Sequence, residues 1–90
     1  MDPFRKRQIL SLAENCLLYG AEDEQWITST EVADYCDITV AHASQLLRRY
    51  QVGGDLWRVA QWSFPLTYIY GITQKGVDKL QYWRDQGWDV

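Results

Sequence analysis

Long apolar runs are missing from this chain of 90 residues, and histidine and cysteine are scarce: one His and two Cys. No stretch approaches the roughly 20 apolar residues that a membrane span needs. The segment Met1–Leu10 carries basic residues, but no signal-type apolar stretch or cleavage site follows it, so a cytoplasmic protein without a membrane partner is expected. With His42 alone, no zinc-type ligand set can be assembled by spacing, and no metal or cofactor is expected. Cys16 and Cys36 each stand within a helical apolar pattern and read as buried core thiols. In a reducing compartment a disulfide between them is not expected. Gly53-Gly54 has neither the phosphate-loop nor the dinucleotide-loop spacing. Carboxylates are plentiful, but two on one surface make no catalytic pair without burial. These absences argue against an enzyme and for a binding protein. Internal repeats and low-complexity linkers are absent too, so residues 1–90 read as a single domain.

Aromatic residues are abundant instead: five Trp and six Tyr. Such rings give a small domain much of its core, and a surplus of them suggests an interface. The net charge of −3 hides a segregation. Glu14, Glu22, Asp23, Glu24, Glu31, Asp34 and Asp37 are uninterrupted by any Lys or Arg. Residues 39–76 reverse the balance, with Arg48, Arg49, Arg58 and Lys75 against Asp55. A polyanionic partner fits this second stretch better than it fits the whole chain.

Periodicity divides the chain into helix, short strand, helix, turn, helix, hairpin and helix. Pro3 suits a first helical turn, and Ile9, Leu12, Ala13, Cys16 and Leu17 follow the spacing of one helical face. Gly20 suits that helix's end, and the acidic loop Ala21–Gln25 follows. Trp26-Ile27 is one short strand's worth of apolar residues. Thr28-Ser-Thr-Glu31 reads as a capping box opening a helix to about Cys36, which buries Val32, Ala33 and Cys36. After a break at Asp37-Ile38, Thr39 caps a further helix to about Tyr50, with Ala43, Leu46, Leu47 and Tyr50 on its inner face. Gly53-Gly54 turns the chain into strands at Leu56–Trp62 and Thr67–Ile72, joined through Ser63-Phe-Pro-Leu66. Thr73 opens a last helix through about Gln86, with Val77 and Leu80 facing inward.

Two helices crossing at a large angle over a short turn need a small residue at the contact and apolar residues at the corner. Ala33 supplies the first; Val32, Cys36, Ile38, Ala43 and Leu46 supply the second. A second pattern, Tyr70-Gly-Ile-Thr-Gln-Lys-Gly76 followed by Leu80, is similar to the Tyr-x-Leu-Thr-x-x-Gly-x-x-x-Leu signature where a second wing strand enters the next helix. On these two patterns the chain resembles winged helix-turn-helix transcription regulators of the MarR/PadR type. The resemblance spans roughly residues 26–80. It implies an α+β, mainly helical fold: a three-helix core, a two-stranded β wing at about 55–72 and a C-terminal helix at about 73–86, with the helix-turn-helix at about 29–50. Asp37 stands where that family often has Gly, and aspartate tolerates left-handed backbone geometry better than most residues.

The resemblance also implies double-stranded DNA as partner, with the third helix in the major groove. Its outward face comprises Ala41, Ser44, Gln45 and Arg48, flanked by His42 and Arg49. Gln45 suits an adenine edge and Arg48 a guanine or a phosphate. Thr39, at the positive end of the helix, suits a phosphate, and Arg58 is the wing's one cation. The family's habit of dimerising through terminal helices implies a homodimer through the first and last helices. Two features depart from a DNA binder. The wing tip Trp62-Ser63-Phe64-Pro65-Leu66 is uncharged, which leaves three roles open: folding onto the core, wedging into a minor groove, or binding a protein. Tyr82, Trp83 and Trp88 also exceed what one inward stripe requires. Together with Trp62 and Phe64 they define an expected partner surface, and a winged-helix protein-interaction module is the competing reading.

Overall fold

A computed structural model of the chain describes residues 3–20, 25–61 and 67–87. The elements are α1 (Pro3–Tyr19), α2 (Ser29–Cys36), α3 (Val40–Val52), β1 (Leu56–Gln61), β2 (Thr67–Ile72) and α4 (Gln74–Asp85). They form a winged helix-turn-helix of the α+β class. Three helices enclose one core, an antiparallel hairpin stands beside α3, and α4 closes the back against α1 and β2.

Three threonine hydroxyls start three of the helices. Thr28, Thr39 and Thr73 lie in extended backbone, and their side chains accept from the amides of Glu31, His42 and Gly76. At Thr28 the reciprocal half of the capping box differs from the usual form, since the Glu31 carboxylate accepts from the Thr28 hydroxyl at 3.2 Å. Asp37 ends α2 in the left-handed region, at φ 56° and ψ 51°. The amides of Asp37 and Ile38 both donate to the Ala33 carbonyl, which makes the sharp corner between α2 and α3. Ala33, Cys36, Ala43 and Leu46 are buried in that corner, and Ile38 packs against them.

The hairpin pairs Leu56 with Ile72, Arg58 with Tyr70 and Ala60 with Tyr68. Ile27 extends it by a backbone bridge to Tyr70, so the Trp26-Ile27 segment contributes one bridging residue. Alternation sends Arg58, Tyr68 and Tyr70 to the face turned toward α2 and α3. Trp57, Val59 and Ile69 fall on the opposite face. There the Trp57 ring lies directly across Gly71, in space that any side chain at 71 would fill.

Three details of the helices differ from the sequence reading. Leu17 is 42% exposed, whereas Leu10 is fully buried with Ile9 and Ala13. Apolar residues cover most of α1's circumference, and its last turn, Leu17–Tyr19, stands off the core. Cys16 is half-buried and only Cys36 is buried, and no disulfide joins them. The third helix continues two residues past Tyr50, to Val52. The expected acidic loop and hairpin tip fall on 21–24 and 62–66, outside the described residues.

Candidate nucleic-acid interface

The helical period of α3 sets out its surface. Thr39, Ala41, His42, Gln45, Arg48 and Arg49 are exposed, while Ala43, Leu46, Leu47 and Tyr50 anchor the opposite face. Ser44 is half-buried, and its hydroxyl donates to Ser29 at 2.8 Å. It therefore ties α3 to the start of α2 rather than standing free beside Gln45.

Between α3 and the hairpin runs an open groove of about 530 Å³. One end is closed by Thr28, Ser29 and Thr30, the start of α2. One wall carries Val40, Ser44 and Arg48, and the other carries Arg58, Thr67, Tyr68 and Tyr70. The Arg58 guanidinium lies 4.4 Å from the centre of the Tyr68 ring, which holds this cation against the wing. Arg48 and Arg58 thus face one channel from two elements, with hydroxyls and the positive end of a helix at its head. Oxygen-bearing anions of a nucleic-acid backbone suit such a channel chemically.

Behind this face lies a cluster that the sequence did not reveal. Asp55, in the turn from α3 to β1, is 1% exposed. Lys6 of α1 meets its Oδ2 at 2.7 Å, and Lys79 of α4 lies 3.1 Å from Oδ1 and donates to Oδ2 at 3.4 Å. Burial alone pushes the Asp55 carboxyl up, but the hydrogen bonds and charges of the two lysines outweigh it and hold the group below the ordinary aspartate range. Burial pulls Lys6 below the usual lysine range against the attraction of Asp55, and Lys79 adds to the fall. The basic run Arg5-Lys6-Arg7 is thus partly structural. Arg5 donates to the Cys36 carbonyl at 3.2 Å, and the Arg7 guanidinium sits over Phe4.

Of the residues expected to meet a protein partner, Tyr82 is 60% exposed. Trp83 is half-buried against the core. Trp62, Phe64 and Trp88 lie outside the described residues. The two terminal helices pack on each other within the chain, where Arg84 of α4 donates to Glu14 of α1 at 2.6 Å. No helix among the described residues is long and apolar enough to cross a membrane.

This architecture defines the winged-helix class of domain. No protein-family model matches the chain, and no curated protein matches it. Among solved structures, it is similar to the crystal structure of diamide-treated YodB from B. subtilis, with 20% sequence identity and a TM-score of 0.53. The match covers 89% of this chain and 81% of that one, and at this identity it concerns the fold.

Proposed function

We propose that this chain is a DNA-binding transcriptional regulator that lays α3 in the major groove and works as a homodimer. The observation that carries the reading is the arrangement of α3 and the wing. Gln45 and Arg48 are exposed on a helix whose other face is locked in the core. Beside them opens a groove that takes Arg48 from one wall and Arg58 from the other. In this pose Gln45 reads a base edge, Arg48 reads guanine or grips phosphate, and the phosphate backbone passes along the groove toward the wing. Thr39, Ala41, His42 and Arg49 flank the same surface, and Ser44 supports it through Ser29.

The cations on this face are few, so one copy binds duplex DNA weakly, and a dimer that engages two half-sites makes up the deficit. The exposed apolar residues Leu17, Leu18 and Tyr19 of α1 and Tyr82 of α4 offer a second copy its contact. A reading as a protein-interaction module draws support from the outer wing face, where Trp57 and Val59 remain exposed in a chain of acidic pI, about 4.9.

Fluorescence anisotropy of a mixed duplex pool across a salt series separates the two. The expected result is affinity that falls steeply with salt. For the double variant Arg48→Ala, Arg49→Ala, the log–log slope becomes shallower by about 1.8, from about 0.9 per lost phosphate contact. Absent binding at low salt, or binding indifferent to salt, supports the protein-partner reading.

A further inference from the structure

We propose that Asp55, gripped by Lys6 and Lys79, is a positioning residue that sets the direction of the wing relative to α3. The functional consequence rests on the reading of that face as a DNA surface; the geometric claim does not. Residues 53–55 are the entire link between the last residue of α3 and the first of β1. Arg48 lies before this link and Arg58 after it, so its conformation governs how the two guanidiniums face each other across the groove.

Each residue of the link is held by an element outside the helix-turn-helix. The Lys75 ammonium donates to the Gly53 carbonyl at 2.6 Å, and the Thr73 hydroxyl donates to that of Gly54 at 2.6 Å. The Thr73 amide donates to the Asp55 carbonyl at 3.1 Å. These bonds fix the backbone to the start of α4, and none of them supplies a restraint toward α1. The Asp55 side chain supplies that restraint, because Lys6 approaches from α1 and Lys79 from further along α4. Two cations on one carboxylate is a poor way to gain stability, since burying the charges costs nearly what their attraction returns. Directional restraint is what the arrangement provides that an apolar plug does not.

Residual dipolar couplings of backbone amides, measured without DNA, test the claim. In the wild type one alignment tensor fits α3 and the hairpin together. The triple variant Lys6→Met, Asp55→Asn, Lys79→Met nearly keeps the volume and removes the charges. Its hairpin alignment falls to about 0.8 of that of α3 or lower, the square root of a fall in S² from about 0.85 to below about 0.6. Lys79→Met leaves the 2.7 Å Lys6–Asp55 pair intact, so the domain folds, and it shows a smaller loss in the same direction. Lys79→Arg restores the common tensor. If the triple variant folds and one tensor still fits both elements, the positioning role is overturned. If the triple variant does not fold, a wild-type tensor in Lys79→Met overturns it. Because DNA is absent, failure of the DNA reading leaves these couplings unchanged, and failure of the positioning claim leaves DNA titrations of the wild type unchanged.

Discussion

Replacing Asp55 by Ala is expected to lower stability by about 3 kcal/mol, with a fall in melting temperature of roughly 15 °C for a domain of this size. The carboxylate is 1% exposed and is shared by two ammonium groups. Its removal leaves Lys6 and Lys79 facing each other with no counter-charge, and both side chains are mostly covered, at 17% and 32% exposure. Breaking a buried pair by deleting one partner costs about 3–5 kcal/mol, and the partial exposure of the lysines places this case at the lower end. Urea and thermal unfolding followed by circular dichroism measure the change. Asp85→Ala, at an exposed position near the end of α4, should stay within about 0.5 kcal/mol of wild type. The pH dependence has a definite sign. The native Asp55 pKa lies below its unfolded value of about 3.9, so the group's contribution is fully present above that pH. It is lost as pH falls through the depressed native value. Wild type should therefore lose stability in that acid window, and Asp55→Ala should lose less.

Gly76→Ala is expected to cost about 2 kcal/mol, although alanine is the better helix former by about 1 kcal/mol. A Cβ at this position falls 2.5 Å from the Asp55 carbonyl oxygen and 2.7 Å from Ile72 Cγ1. The first of these is backbone in a turn already fixed by hydrogen bonds, so it cannot swing aside as a surface side chain would. Either α4 retreats from the 53–55 turn or the turn itself deforms. Denaturant midpoints measure the loss. Gln81→Ala, on the exposed side of the same helix, separates the steric effect from helix propensity and should be neutral or slightly stabilising.

Much of this architecture could be read from sequence because its causes are local. Thr28, Thr39 and Thr73 each cap an amide three residues ahead, and such chemistry needs no knowledge of the fold. Asp37 at the helix-turn-helix corner is a local requirement too, of left-handed geometry, whereas the missing volume at Gly76 answers the distant Asp55 carbonyl and was legible only through the signature it belongs to. The inner face of α3 follows from its period because its apolar residues occupy one side only. In α1 apolar residues lie nearly all round, so period alone could not choose Leu10 over Leu17. Asp55 was invisible for a different reason: its partners come from the first and last helices, and only the folded chain brings Lys6 and Lys79 to it. The same holds for Ser44, whose inward turn depends on Ser29 arriving from α2. Within the candidate interface, exposure of Gln45 and Arg48 was legible. The groove was not, because Arg58 joins it only through the hairpin register.

The most direct test of a DNA surface along α3 and the wing is an amide-resolved NMR titration of the labelled protein with a short duplex at low salt. Perturbations concentrated at Gln45, Arg48, Arg58 and the Thr28–Thr30 turn are the predicted result. Shifts confined to Val59, Leu18 or Tyr82, or no shifts at all under these conditions, would contradict it.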